Sequence, residues 1–347
     1  MVFSKKILVW YAQNKRDLPW RNTVDPYHIW LSEIMLQQTR VAQGMPYYLK
    51  FITHFPSVND LAKASEEKIL KLWQGLGYYS RARNLHATAQ LISEKYQGNF
   101  PTTYETLLQL KGVGDYTASA IASISFNLPE PVVDGNVYRV LARYFGVAVP
   151  INSTEGIKYF KELARKVMDT HHIRDYNQGI MEFGAIQCVP RNPNCEVCAL
   201  NDSCVALKEK KVNELPVKLK KIKVRNRYFN YLVILDENNH TILQQRIGKG
   251  IWQQLYEFPL IELDKDMALS KSAIDQQLEK ALISNTDYDI SRFNEKKIIH
   301  KLSHQHLYTT FWILNVRGTI PNGIKVSEIS TFPVPVLVAE FINTFKF

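Results

Sequence analysis

The chain has 347 residues, 46% hydrophobic and 22% charged, with a formal net charge of +10. That is enough for two globular domains, and no apolar run approaches the roughly 18 residues of a membrane span. The N-terminus has only a short apolar run and no cleavage site of an export signal, so a cytoplasmic protein is expected, with a basic balance that favours a polyanionic partner.

Apolar residues recur at spacings of three and four over Tyr27–Tyr48, Glu66–Trp73, Ala82–Tyr96, Tyr116–Phe126, Val137–Tyr144 and Gly156–Met168. This pattern predicts a mostly helical N-terminal part, punctuated by glycines and prolines. Glu33 falls early in the helix predicted over 30–48, where an acid also suits a helix start with no further role. Next comes Leu108-Gln-Leu-Lys-Gly112-Val113-Gly114-Asp-Tyr116-Thr-Ala118. Two glycines permit a sharp turn between helices, and the second helix then presents free amides that can hold a DNA phosphate without reading sequence. Asp134 precedes Gly135-Asn136-Val137, where a helix begins. Its plain reading is an N-cap; its functional reading is a carboxylate kept ionised by the helix start beside a developing cation.

All four cysteines of the chain fall in one short stretch, as Cys188-x6-Cys195-x2-Cys198-x5-Cys204. Clustered thiols in a chain without an export signal favour a metal over disulfides. Zinc remains open, but zinc sites more often pair two short Cys-x2-4-Cys knuckles. The spacing resembles the [4Fe–4S] loop of the endonuclease III superfamily. From Lys208 to Arg227 nine Lys and Arg stand against two Glu. This basic tract reads as a linker over 209–227, between a domain at 1–208 and another at 228–347. The last third is strand-like at Asn230–Leu235 and Thr241–Gln245, which predicts a hairpin around Glu237-Asn238-Asn239. An amphipathic helix over Met267–Ile283 and strands at Lys297–Lys301 and Tyr308–Val316 follow, giving an α+β domain.

Several motifs occur in one order: Leu18-Pro-Trp20-Arg21, Glu33-Ile-Met-Leu-Gln-Gln38-Thr39, Gly75-Leu-Gly-Tyr78-Tyr-Ser-Arg-Ala-Arg-Asn84, the hairpin, Val133-Asp134-Gly135-Asn136-Val137 and the cysteine loop. Together they make the chain similar to the MutY family of adenine DNA glycosylases. The resemblance implies a mostly α helix-hairpin-helix glycosylase domain with a [4Fe–4S] cluster held by the four cysteines. It implies also a C-terminal α+β Nudix-like domain that recognises 8-oxoguanine. The implied activity is removal of adenine mispaired with 8-oxoguanine or guanine in double-stranded DNA, by a monomer.

The resemblance assigns Glu33 as catalytic acid, Asp134 as its partner carboxylate and Asn136 as their support. Gln38 and Tyr78 would insert into the duplex, while Trp20, Arg21, Leu36 and Glu182 would line the adenine pocket. Gly112, Val113 and Gly114 form the hairpin. Bifunctional relatives place a lysine where Tyr116 stands, so a monofunctional enzyme is expected. A Nudix hydrolase would carry an Arg-Glu-x-x-Glu-Glu pattern after Gly250, and this chain has none, so pyrophosphate cleavage is not expected. The family's Phe-Ser-His loop reads here as Leu302-Ser303-His304, which keeps the polar groups and loses an aromatic face. Two rivals stand beside this reading. One is a thymine or uracil mismatch glycosylase of the same superfamily, and the other a non-catalytic lesion-binding protein that would need neither Glu33 nor Asp134.

Overall fold

The computed structural model describes residues 2–219, 224–283 and 287–347. The chain divides into two compact units, Met1–Lys63 with Asn84–Lys220, and Ala64–Arg83 with Lys221–Phe347. No described helix is long and apolar enough to cross a membrane.

The first unit is helical. Its central helix, Asp115–Phe126, buries every residue from Thr117 to Ile124, five of them Ala or Ser, at positions 118–120, 122 and 123. Such small side chains let it pack against both Pro26–Leu36 and Ile173–Glu182. Around it lie fully buried aromatics, among them Trp30, Tyr48, Phe51 and Phe55. Asp25 starts the helix Pro26–Leu36 by accepting from Tyr27 N at 2.8 Å, with Pro26 in the first helical position.

The continuous helix expected over Tyr27–Tyr48 is in fact two, Pro26–Leu36 and Val41–His54. Between them Gln38 adopts φ +57°, and Thr39 N bonds back to Leu36 O at 3.1 Å. Apolar spacing runs through the break because both helices face the core, so periodicity alone does not reveal it. Glu33 therefore lies in the last turn of its helix, not near the start. There the negative end of the helix dipole disfavours an ionised carboxylate.

Ile173–Glu182 runs on into a wider π turn, Phe183–Gln187, that delivers the chain to Cys188. After the cysteines the short helix Val205–Lys208 packs on Gly135–Phe145. Residues 209–219 are bonded to the first unit: Arg143 Nε donates to Leu215 O at 3.0 Å, and Ile151 N to Val217 O at 3.0 Å.

In the second unit the strand Arg225–Leu235 is central. Gln305–Val316 runs parallel to it along its whole length, and Leu260–Leu263 pairs antiparallel on its other side. Tyr288–Arg292 and Ile298–Lys301 both pair with Gln305–Val316. Helix Lys271–Lys280, shorter than the expected 267–283, is capped by Ser270 and sets Ile274 and Leu278 against Leu232, Ile234 and Leu314. Helix Val336–Thr344 stacks Phe341 on Phe311, ring centroids 4.1 Å apart.

The hairpin expected between Asn230–Leu235 and Thr241–Gln245 does not form. His240–Thr241 pairs with Ile324–Lys325, and Gln244–Gln245 with Tyr256–Glu257. The turn itself is present, but Asp236 accepts from Asn238 N, His240 N and the distant Ile320 N. That third bond draws the returning chain towards the 320–325 segment and off the sheet. Segment 64–83 belongs to this unit through Lys71 Nζ to Phe332 O (2.9 Å), Val334 N to Gln74 Oε1 (3.3 Å) and Arg83 Nη1 to Gln253 O (2.8 Å).

In the hairpin turn Gly112 has φ +80°, and a Cβ there would lie 2.8 Å from Asn84 Cβ. Gly112→Ala is expected to destabilise the protein by about 1–3 kcal/mol, measured by denaturant unfolding, since it combines a left-handed backbone with a clash.

Candidate active site

A cavity of about 380 Å³ opens in the first unit. It gathers Glu33, Tyr116, Asp134 and Asn136, with Trp20, Arg21, Leu36, Gln38 and Glu182. Residues far apart in sequence thus share one site. Arg16 and Gln178, which the sequence reading did not single out, line it as well. Gln178 is buried at the spacing of the core face of its helix, so only the structure separates it from a packing residue.

Glu33 is 8% exposed. Burial pushes its carboxyl up to about 7; the Tyr116 hydroxyl pulls it down, Asp134 pushes it up and Arg21 pulls it down. The Tyr116 hydroxyl donates to Met181 Sδ at 3.2 Å, and burial and the two cavity carboxyls, Glu33 and Asp134, push its own pKa well up. Asp134 is both a cap and a cavity group. Its Oδ1 accepts from Asn136 N (2.9 Å) and Val137 N (2.8 Å), and its Oδ2 from Asn136 Nδ2 (2.8 Å). Burial pushes this carboxyl above its ordinary value, while those donors pull it down. Three donors favour the ionised form, so the helix start acts in the expected direction, although burial prevails in the balance.

Asn136 is itself held. Arg139 Nη2 donates to Asn136 Oδ1 at 2.9 Å and to Gly184 O at 2.6 Å, and its Nε donates to Cys188 O at 2.7 Å. Gly184 must be glycine here, because a Cβ would lie 2.7 Å from Asn136 Cβ. Glu182 is 1% exposed. Burial alone would raise its carboxyl, but two arginines hold it down at about 2. Arg16 bonds it through Nε (2.7 Å) and Nη2 (2.6 Å), and Arg21 through Nη1 (2.9 Å) and Nη2 (2.7 Å). Trp20 packs edge-on against Tyr48, centroids 5.1 Å apart.

Gly112, Val113 and Gly114 do not line this cavity; they form the turn before Asp115–Phe126, whose N-cap, Gly114, offers no side chain to its first amides. The four cysteines line a separate, small cavity with Phe183, Leu200 and Leu207. All four are unpaired. Arg143 Nη1 lies 3.4 Å from Cys188 Sγ, and Leu200 N donates to Cys198 Sγ at 3.5 Å. The thiols surround a space without converging on a point: among the described residues no three His, Cys, Asp or Glu are grouped to hold a metal ion.

In the second unit Ser303 and His304 form the exposed tip between strands Ile298–Lys301 and Gln305–Val316, closed by Leu302 N to Gln305 O at 2.8 Å. Leu302 is half-buried beneath it. The Tyr78 and Ser303 hydroxyls are 2.7 Å apart. Tyr78 has φ +49° and lies 49% exposed, with the Arg81 guanidinium 5.5 Å from its ring.

Residues 31–166 match the HhH-GPD superfamily of base excision DNA repair proteins, and residues 230–344 match the NUDIX domain. An adenine DNA glycosylase of Buchnera aphidicola subsp. Baizongia pistaciae is 36% identical over 320 residues, 90% of this chain and 86% of that protein. The chain belongs to the adenine DNA glycosylase family. The human adenine DNA glycosylase is 44% identical over 213 residues, 59% of this chain and 39% of its own. Among solved structures, a thermostable thymine-DNA glycosylase is similar at 34% identity and a TM-score of 0.56, over 60% of this chain and 96% of that one.

Folded Glu33 keeps its proton to about pH 7 against an ordinary 4.5, so stability falls as pH rises between those values. Glu33→Gln carries no such loss. The variant's Tm relative to the parent is expected to be clearly higher at about pH 8 than at about pH 5; an equal difference at both would show that Glu33 is not held protonated.

Proposed function

We propose that this chain is a monofunctional adenine DNA glycosylase acting on adenine opposite 8-oxoguanine or guanine in duplex DNA. The observation that carries the reading is the pairing, in one cavity, of a buried carboxyl raised to about 7 with a second carboxylate held by three donors.

Adenine leaves poorly as an anion, so its N7 takes a proton first. Glu33, still protonated near neutral pH, supplies it. The glycosidic bond then breaks with its electrons going to the neutral base, and C1′ is left oxocarbenium-like. Asp134, fixed at its helix start, stabilises that charge. Water adds to C1′ and gives its proton to the Glu33 carboxylate, which restores the starting state. The logic is that of the two-carboxylate glycosidases. Tyr116 has no amine and forms no Schiff base, so the strand is left intact.

The base reaches this cavity only by leaving the stack. Trp20 and Leu36 give the pocket apolar walls, and the Arg21–Glu182 pair offers fixed polar edges. Gln38 and Tyr78 insert into the duplex around the vacated position, the hairpin amides hold phosphate, and Ser303 and His304 read the opposite base. Four thiols round one apolar cavity, with guanidinium and amide donors at the sulfurs, support a [4Fe–4S] cluster on Cys188, Cys195, Cys198 and Cys204. Such a cluster supplies a fold for the loop and takes no part in the steps above.

A second reading follows from the similarity to a thymine-DNA glycosylase over 60% of the chain. Single-turnover assays on duplexes with A·8-oxoguanine, A·G, A·T, G·T and G·U, each with and without alkali, separate the two. Adenine release opposite 8-oxoguanine and guanine, with strand breaks only after alkali, is expected. Thymine or uracil release instead would favour the second reading. Glu33→Gln should slow release by about 10²–10⁴ while still binding the mispair.

The purified protein should carry iron and acid-labile sulfide with a broad visible absorption. Zinc at one equivalent without sulfide would replace the cluster assignment by a mononuclear site.

A further inference from the structure

The hairpin helix begins with an acid. Asp115 is the first residue of Asp115–Phe126, directly after Gly114. A carboxylate suits a helix start, but it sets a negative charge where a DNA phosphate would use the same amides. Two groups answer that charge. The Tyr104 hydroxyl donates to Asp115 Oδ1 at 2.5 Å, and Lys161 Nζ lies 2.9 Å from Oδ1 and 3.1 Å from Oδ2.

Lys161 is not an ordinary surface partner. It stands on helix Thr154–Val167, and its ammonium also donates to Ser119 Oγ at 2.8 Å and Pro131 O at 2.9 Å. Its side chain is 16% exposed, against 50% for Asp115, and it sits 5.6 Å from the centre of the Tyr104 ring. With three separate partners all three ammonium protons are engaged, so the charge is fixed in place. Exposed pairs of long side chains, by contrast, usually contribute little because they are loosely held.

We propose that Lys161 is a positioning residue for DNA binding: it neutralises Asp115 and holds its carboxylate, so that the hairpin's helix start stays open to a phosphate. This inference rests on reading the hairpin as a phosphate site. Lys161 touches neither the base nor the cavity; it acts through Asp115.

The test measures duplex affinity by fluorescence anisotropy, on undamaged and mispaired DNA, over a range of salt. Lys161→Met should weaken both by about two- to fivefold at low salt, the size of one charge at a helix end. The loss should shrink as salt rises. Asp115→Asn should bind at least as well as the parent, and Lys161→Met with Asp115→Asn should regain parental affinity. Lys161→Arg should keep most of it, and base release by saturating Lys161→Met should keep its single-turnover rate. A double variant as weak as Lys161→Met would assign Lys161 to packing and overturn the proposal. Lys111→Glu, at the exposed turn, serves as the control. If it leaves affinity unchanged, the hairpin reading itself fails. If it weakens binding while Lys161→Met does not, only the role of Lys161 fails.

Discussion

The geometry of the first unit turns on one buried guanidinium. Arg139 spends its donors on Asn136 Oδ1, Gly184 O and Cys188 O, which belong to the start of one helix, the π turn and the head of the cysteine loop. Each acceptor is a group that burial would otherwise leave short of a partner. The Asn136 side chain has two ends: its oxygen takes Arg139, so its amide must face Asp134. The orientation of the cavity carboxylate is thereby tied to where the cysteine loop begins. Arg143, one turn on, does the same for the next stretch, bonding Val189 O, Pro190 O and Leu215 O. A loop of 17 residues with little core of its own is held in place by two arginines of the helix that Asp134 caps.

The second unit solves a different problem, which is to present polar tips from a sheet. Its sheet is covered by Lys271–Lys280, packed on Leu232, Ile234 and Leu314, and by Val336–Thr344, whose Phe341 stacks on Phe311 of the neighbouring strand. Ser303 and His304 sit where two strands turn back, beyond the reach of either helix. Tyr78, more than two hundred residues earlier, meets Ser303 because segment 64–83 is bonded into this unit at Lys71, Gln74 and Arg83. Its positive φ is supported by Arg81, which lies against both Trp73 and Tyr78 and donates to Gly77 O at 3.0 Å.

Much of this was legible in the sequence because the signals were local. The N-cap at Asp134, the glycine turn at Gly112 and the crowding of the cysteines each depend on residues within one or two turns. What escaped depends on distance. The break at Gln38 is a backbone choice between two helices that share an apolar phase. The failed hairpin after Leu235 follows from Asp236 reaching Ile320, a partner 84 positions away. Arg16, Gln178 and Arg139 carry no sequence pattern of their own; a buried arginine is recognisable only when its acceptors are in view. The placement of segment 64–83 is of the same kind, since a short amphipathic helix does not announce which core it joins.

Three acids line one cavity, and composition alone would not assign them. Glu182 is the most deeply buried, yet two bidentate arginines keep it ionised far below neutral pH, so it can neither give nor take a proton there. It is an anchor for the cations. Asp134 has two backbone donors on Oδ1 and a side-chain donor on Oδ2, a set that favours the charged carboxylate and offsets part of the rise that burial causes. Glu33 has no backbone donor among the described residues, sits at the wrong end of a helix for an anion, and feels the charge of Asp134. Each of these conditions favours its neutral form, and with burial they outweigh the downward pull of Tyr116 and Arg21. One cavity thus shifts three carboxyls of the same chemical class by different amounts and, for Glu182, in the opposite direction, because each has its own surroundings.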